Sequence, residues 1–281
     1  MKKILFPTDF SENSNNAYLY ALKFAENINA KVIILHVYQY PILESSYIDM
    51  PLYQAEVYQS LEWNDFENYK SHVPILRKIA ENNNMEHIQT ETILLDGDFV
   101  NTVLQTVKSE NIDYIIMGTT GASGIKEFFL GSNAASVMTS TDAAVLAVPE
   151  SSSYEPIRKI CFTTQFNSDD FEALKEVVKV AKGFNATIDC LYVKTSDNDV
   201  DSVIIADWKL LFKDEKVTFH IVESDDVESS ITDFIIMNGI DMLALLNHKH
   251  GFWESFFHTN ITKKLAHHIK IPLLALHENK K

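Results

Sequence analysis

One sequence pattern occurs twice in this chain of 281 residues, and the repeat limits the fold more than any other feature. Lys3–Phe6 matches Lys159–Phe162, and His36–Val37 matches Tyr192–Val193. The offset is the same in both matches, because 159 − 3 and 192 − 36 are both 156. A repeat of domain length, with strand-like apolar runs in both copies, predicts two tandem domains built on one plan.

The second part of each copy repeats at a shorter offset. Val145–Ala147 matches Leu273–Ala275, at an offset of 273 − 145 = 128. Because the offset falls from 156 to 128 along the chain, the first copy is longer than the second by 156 − 128 = 28 residues. We expect the additional length between the second and third strands, in a Tyr-rich and acidic segment, residues 38–74. The division predicts domains at 1–150 and 157–281, joined by a short polar linker.

The first copy alternates apolar runs of strand length with helical patterns. The expected strands are Lys3–Phe6, Lys31–Val37, Thr90–Leu95, Asp113–Met117 and Ala143–Pro149. Strands that alternate with helices favour a parallel sheet with right-handed crossovers. The predicted fold class is therefore α/β, with two tandem, doubly wound, five-stranded parallel-sheet domains. The Tyr-rich segment is expected to begin as a loop and to become helical over about 54–83, with an interruption at Pro74.

The last strand of each copy carries no charge. A bare edge of this kind invites aggregation, so Ala144–Val148 and Leu273–Leu276 are expected to pair with each other around a pseudo-twofold axis. The alternative is that a loop or another chain covers each edge.

Charge and composition exclude several partners. A net charge of −15 argues against nucleic acid and anionic membranes, which need a basic surface. No apolar run approaches the roughly 20 residues of a membrane span, and the N-terminal apolar run is too short for a signal peptide. Cys161 and Cys190 lie in strand-like runs and are expected to be reduced core residues, so we expect a cytoplasmic protein.

A glycine motif follows the fourth predicted strand. Gly118 and Gly121 are separated by two residues, and nine more residues lead to Gly131 and Ser132, where a helix is expected to begin. Glycines let backbone N–H groups approach an anion, and a helix N-terminus adds partial positive charge, so the motif predicts a phosphate site. It is neither a Walker motif nor GxGxxG. The alternative is a mobile surface loop.

The second copy does not keep this motif. Gly118, Gly121, Gly131 and Ser132 correspond to Leu246, Lys249, Thr259 and Asn260, and Asp9 corresponds to Gln165. Side chains at those positions would crowd a phosphate or would strain the backbone. The comparison predicts one anion site per chain, in the first copy.

The arrangement resembles the ATP-binding branch of the universal stress protein family, over nearly the whole chain. The resemblance is carried by Pro7–Ser11 after the first strand, by Leu35–Val37 in the second and by the glycine motif. It implies a Rossmann-like fold of the adenine nucleotide alpha hydrolase type. It also implies bound ATP, ADP or AMP, and leaves open whether Mg²⁺ accompanies the nucleotide. The nucleoside side would comprise Pro7, Thr8, Asp9 and Val37, and the ribose and phosphate side Met117, Gly118, Gly121, Gly131, Ser132 and Asn133.

Elementary chemistry agrees with that assignment. The ends of strands one and four adjoin at the switch point of such a sheet, where ligands bind. Asp9 can accept hydrogen bonds from ribose hydroxyls or an adenine amino group, although it or Ser11 could also cap the next helix. Ser132 is expected to be both a hydroxyl ligand and a helix N-cap.

The function implied is that of a stress-response regulator or nucleotide sensor with a protein partner that the sequence does not name. Alternatives are a scaffold that binds no nucleotide and a slow ATPase, since no catalytic or metal-binding spacing is present. Family resemblance also leaves open a homodimer. The C-terminal histidines are expected at a surface or interface rather than on a metal, and Phe252–Phe257 is expected to pack where the second ligand is missing. The histidines concerned are His248, His250, His258, His267, His268 and His277.

Overall fold

A computed structural model describes residues 1–39, 67, 70–119, 131–196, 200–247 and 270–278 of the chain. Most of the Tyr-rich segment, residues 120–130 with Gly121, the block Phe252–Phe257 and five of the six C-terminal histidines lie outside the described residues. Pro74 lies within residues 70–82, which form a continuous helix, so the interruption expected at Pro74 does not occur.

The described elements alternate as the sequence indicates. The strands are β1 (Lys2–Pro7), β2 (Ala30–Tyr38), β3 (Thr90–Asp96), β4 (Tyr114–Gly118), β5 (Ala144–Val148), β6 (Lys159–Thr163), β7 (Thr187–Lys194), β8 (Val217–Glu223), β9 (Met242–Asn247) and β10 (Leu273–His277). The helices are α1 (Glu12–Ile28), α2 (residues 70–82), α3 (Phe99–Glu110), α4 (Ser132–Ser140), α5 (Ser168–Phe184), α6 (Ser202–Leu211) and α7 (Val227–Asn238).

The ten strands in the described part of the chain form one sheet, in the order β3-β2-β1-β4-β5-β10-β9-β6-β7-β8. Each half has the same internal order, with its third strand at the outer edge and its fifth strand at the centre of the sheet. Pairing is parallel within each half. The predicted α/β class and the tandem, doubly wound arrangement are confirmed.

The two halves join through their last strands. β5 and β10 are antiparallel, and Leu146 lies opposite Leu274 at the centre of the short ladder. The intrachain pairing predicted from the two uncharged strands is therefore confirmed. Each strand covers the edge that the other would expose, and this removes the aggregation hazard.

Backbone conformation repeats along with the sequence. Phe10 and Phe166, which correspond in the two copies, both have a positive φ, at 59° and 58°. In each copy the backbone N–H of that phenylalanine donates to the hydroxyl of a threonine two residues earlier, Thr8 or Thr164. A positive φ is uncommon for a bulky residue and costs free energy. In both copies the hydrogen bond to the threonine hydroxyl stabilises this conformation of the loop.

The strand register refines the position of the length difference. Leu35 pairs with Ile93, and its counterpart Leu191 pairs with His220. The third strands are thus related by an offset of 220 − 93 = 127, and not by the 128 of the last strands. Between its second and third strands, the first copy is therefore longer than the second by one residue more than the sequence match indicates. The second copy compensates with one additional residue between β8 and α7, compared with the connection between β3 and α3.

Two apolar layers cover the sheet. One lies under α1, α2, α5 and α6, and the other under α3, α4 and α7. Cys161 and Cys190 are free and belong to opposite layers, as expected of core cysteines. Burial raises the pKa of both thiols, so they remain protonated and unreactive at neutral pH.

The linker between the halves is attached to α1. Tyr20 donates its hydroxyl to the carbonyl of Ser153 at 2.9 Å, and the amide of Asn16 donates to the carbonyl of Ser152. The ring of Tyr154 packs edge-on against Tyr20 at 5.1 Å. The linker is therefore part of the junction rather than a free tether.

His277 ends β10, and its Nε2 atom is buried without a hydrogen-bond partner in the part of the chain that the structure describes. Burial lowers the pKa of His277 from 6.5 to about 4, although the carboxylate of Asp142 acts in the opposite direction. The unfolded chain therefore takes up this proton at a higher pH than the folded chain. Stability that is present above pH 6.5 should be lost as the pH falls, by about 2 kcal/mol at pH 5.

Urea unfolding of the wild type and of His277→Leu at pH 7 and pH 5 measures this loss. The wild type should lose stability between the two values, and the variant should lose about 2 kcal/mol less. An equal loss in both proteins would show that His277 is not the group concerned.

Candidate functional site

Three strand ends bring the predicted residues together. β2, β1 and β4 are neighbours and parallel, so Val37, Pro7 and Gly118 lie at the same edge of the sheet. This is the point at which the chain crosses from one side of the sheet order to the other. Ligands of doubly wound proteins bind at such a switch point.

Thr8 anchors the loop after β1. Its backbone N–H donates to the carbonyl of Leu35 at 2.8 Å, and its own carbonyl accepts from His36 Nδ1 at 2.8 Å. Its buried hydroxyl lies 2.7 Å from the hydroxyl of Ser14. The loop is therefore attached to both β2 and α1, and the strand-end residue Pro7 before it is buried.

Asp9 stands exposed at the tip of this loop. Its Oδ1 accepts from the backbone N–H of Ser11 at 3.0 Å and from the Ser11 hydroxyl at 2.7 Å. Ser11, not Asp9, is the N-cap of α1, because its side chain accepts from the N–H of Ser14. The capping role that the sequence left open between the two thus falls to Ser11.

Gly118 is the last residue of β4, and Asn13 of α1 lies against it. A Cβ added at Gly118 would be 3.3 Å from Asn13 Nδ2, which is a tight contact. A leucine, as in the second copy, would have to displace Asn13. Met117 beside it is buried in the core, so only its main chain faces the strand end.

The start of α4 differs from the prediction. Gly131 is the N-cap, its N–H donates to the carbonyl of Thr119 at 2.6 Å, and no side chain among the described residues caps the helix. Ser132 is the first helical residue rather than the cap, because a serine caps only from the preceding, non-helical position. Ser132 and Asn133 are both exposed.

Every other helix whose N-terminus is described has a side-chain cap. The capping residues are Ser11, Asp98, Asn167, Asp201 and Asp226. Gly131 has no side chain, so within the described residues the first N–H groups of α4 have no capping side chain. Gly131 is bonded to Thr119, the residue after Gly118, so this helix start lies near the end of β4. Uncapped N–H groups and the helix dipole favour an anion at this position. Gly121 lies outside the described residues, so its place in the motif stays a prediction.

The second copy shows what replaces the site. Asp170 corresponds to Ser14 and is 1% exposed. Its Oδ2 accepts from the backbone N–H of Gln165 at 2.7 Å and from the hydroxyl of Thr164 at 3.1 Å. Gln165 corresponds to Asp9. In the second copy, therefore, the buried carboxylate of Asp170 accepts a hydrogen bond from the main-chain N–H that corresponds to the N–H of Asp9 in the first copy.

Sequence reasoning missed Asn13 and Ser14. The signal was present, because the same two positions of the second copy are Asp169 and Asp170. One copy has two neutral residues in the first turn of the helix beside the loop, and the other has two acids. A comparison extended from the glycines to this turn would have found the difference.

The site offers backbone N–H groups, exposed hydroxyl and amide side chains, and one exposed carboxylate. These groups can bind a neutral sugar and an anion. Across the described ranges, no group of three or more His, Cys, Asp and Glu side chains could hold a metal ion. In the same ranges no helix has the length and apolarity needed to cross a lipid bilayer.

The fold defines the class of the protein, which is a doubly wound α/β protein. Comparison with known proteins agrees with this class. The universal stress protein family model matches residues 1–149, and the chain therefore belongs to the universal stress protein family. It is 31% identical over 164 residues to universal stress protein MJ0577 of Methanocaldococcus jannaschii, covering 54% of this chain and 97% of that protein. It is 29% identical over 146 residues to universal stress protein YxiE of Bacillus subtilis, covering 52% and 97%.

A solved structure matches the whole arrangement. A universal stress protein from Archaeoglobus fulgidus superposes with a TM-score of 0.72 over 99% of this chain and 97% of that chain, at 18% identity. At this identity the likeness concerns the fold, and it extends over both halves.

Proposed function

We propose that the first half binds one adenine nucleotide and that the protein acts as a nucleotide-dependent regulator in a stress response. The observation that carries the proposal is the start of α4, which no described side chain caps and which is bonded through Gly131 to Thr119, next to Gly118 at the switch point of the sheet. An uncapped helix start of this kind is suited to a phosphate group. The proposal treats residues 1–150 and 157–281 as separate domains, of which only the first has a ligand.

The residues of the proposed site form two groups, one suited to the nucleoside and one suited to the phosphates. The carboxylate of Asp9 would accept hydrogen bonds from ribose hydroxyls. The main chain at Thr8 and Val37 would lie against the adenine base. Backbone N–H groups at Gly131 and in the first turn of α4 would face the phosphates, with Ser132 and Asn133 as side-chain donors. Gly121 would complete the phosphate loop. Any Mg²⁺ would arrive with the nucleotide, since the described donors do not form a metal site.

Thermal unfolding with ATP, ADP, AMP and no ligand tests the proposal. We expect a higher melting temperature with at least one of the three and a stoichiometry of about one nucleotide per chain. Unchanged melting with all three, together with no nucleotide co-purifying with the protein, would instead favour a scaffold. Release of phosphate with Mg²⁺ and ATP would favour a slow ATPase.

Gly131→Thr copies the second half at the start of α4. The threonine side chain would intrude on the phosphate and would also compete for the helix N–H groups, so we expect binding to weaken by at least about 10-fold. Ser140→Thr, an exposed change at the other end of α4, is the control and should bind as the wild type does. If both variants bind the nucleotide equally well, the phosphate does not bind at the start of α4.

A further inference from the structure

His36 joins the two elements of the first half that lie on the nucleoside side of the proposed site. It lies on β2 directly before Val37, and its Nδ1 atom is 2.8 Å from the carbonyl oxygen of Thr8, in the loop after β1. A carbonyl oxygen can only accept a hydrogen bond, so the imidazole carries a proton on Nδ1 and donates it. Asp9 follows Thr8, and the bond therefore links the end of β2 to the carboxylate of the loop.

This bond fixes the peptide group between Thr8 and Asp9, which is trans. In a trans peptide the carbonyl and the following N–H lie in one plane and point in opposite directions. Because His36 holds the carbonyl of Thr8, the plane cannot rotate without breaking the bond. The N–H and the side chain of Asp9 therefore keep their directions, and Ser11 orients the carboxylate further by donating to its Oδ1 atom.

The ring of His36 supports the residue on the other side of Asp9. Phe10 is 7% exposed and has a φ of 59°. Its ring centroid lies 4.8 Å from that of His36 and 4.9 Å from that of His72 on α2. Asp9 is thus flanked by two residues that His36 contacts, the first through a hydrogen bond and the second through ring packing.

The second copy keeps the ring at this position but not the donor. Tyr192 corresponds to His36, is 1% exposed and packs edge-on against Phe166 at 5.5 Å. Phe166 has nearly the same φ as Phe10, so the backbone conformation of the loop does not require an imidazole. A tyrosine has no N–H beside its Cγ atom and cannot donate as Nδ1 of His36 does. The donor therefore distinguishes the half that has the glycine motif from the half that lacks it.

We propose that His36 is a positioning residue for the nucleoside. Its Nδ1–H sets the place of Asp9 relative to Val37, and thereby the affinity of the site for ribose and adenine. This inference rests on the proposed nucleotide site and adds a residue that acts through Asp9. A supporting bond of this kind matters because a displacement of about 1 Å is enough to lose a hydrogen bond to a ligand.

Isothermal titration with ATP tests the role of the donor. His36→Phe keeps a ring against Phe10 and removes the N–H, so we expect ATP binding to weaken by at least about 10-fold. His36→Asn removes the ring and places an amide N–H near the position of Nδ1, so its affinity should stay within about 3-fold of the wild type. Tyr192→Phe, at the corresponding position of the second half, is the control and should bind ATP as the wild type does.

A double-mutant cycle measures whether His36 acts through Asp9. Asp9→Ala should weaken ATP binding in the wild-type background. In the His36→Phe background the same change should have little further effect, because the carboxylate is already displaced. If His36 only stabilises the fold, Asp9→Ala will have the same effect in both backgrounds, and that result would overturn the proposal.

The outcomes separate this inference from the proposed function. If the wild type does not bind ATP, the nucleotide site itself is wrong. If the wild type binds ATP and His36→Phe binds it equally well, or if His36→Asn loses as much affinity as His36→Phe, the role of His36 is wrong and the site stands. Melting temperatures without nucleotide establish that the variants remain folded, as expected for changes at a half-buried position.

Discussion

Ser14→Asp should abolish nucleotide binding by the first half, with a loss of at least about 100-fold in affinity. The change copies Asp170, which in the second half accepts from the backbone N–H of Gln165 at 2.7 Å. A carboxylate at position 14 would turn the N–H of Asp9 inward in the same way. It would also place negative charge in the first turn of α1, beside the proposed nucleotide site.

The controls separate the charge from the loss of the serine. Ser14→Ala removes the hydroxyl that lies 2.7 Å from the Thr8 hydroxyl but adds no charge, so it should bind at nearly the wild-type level. Ser14→Asn matches aspartate in size and is expected to fall between the two. Isothermal titration with ATP and AMP measures all three. If Ser14→Asp binds as well as Ser14→Ala does, the first turn of α1 plays no part in the choice between the halves.

Gly183→Ala should destabilise the protein by about 2 to 3 kcal/mol, although alanine in a helix is normally more stable than glycine by about 1 kcal/mol. Gly183 lies near the end of α5, where α1 of the other half crosses. A Cβ at this position would be 2.5 Å from the carbonyl oxygen of Asn27, which is main chain and cannot move independently. The two helices would have to separate, and the contact between Phe24 and Phe184, at 5.3 Å, would loosen.

Urea unfolding at neutral pH measures the change. Lys179→Ala, one turn earlier on α5 and exposed, is the control and should alter stability by less than about 0.5 kcal/mol. A stability of Gly183→Ala equal to or above that of the wild type would show that α1 and α5 can separate at no cost. In that case the β5–β10 pairing and the linker contacts would hold the halves together without the packing of α5 on α1.

The junction gives the second half a structural role although it lacks the glycine motif. The second half covers the edge of β5 with β10, and α5 packs on α1, the helix that begins at the proposed site. The second half therefore supports α1 from the side remote from the proposed site. The absence of the glycine motif from the second half leaves this packing unchanged, because the core residues and the motif residues occupy different positions.

The sequence by itself determined the repeat, the strands and helices of each copy, the pairing of the last strands and the half that carries the glycine motif. These features follow from local patterns, namely apolar runs of strand length, glycine spacing and uncharged edges. A register error of a single position in the third strand remained, since a sequence match cannot distinguish an insertion before a strand from one after it. The N-cap of α4 was also assigned one residue too late.

Only the tertiary structure showed what acts between distant parts of the chain. It placed Asn13 against Gly118, turned Asp170 toward Gln165 and brought Asn27 onto Gly183. Each of these contacts depends on how closely two elements approach, and the spacing of residues along one element does not contain that distance. Helix α6 is a similar case, because it buries Ile205 and Trp208 and exposes Leu210 and Leu211, and the pattern of an apolar helix does not show which of its sides the rest of the protein covers.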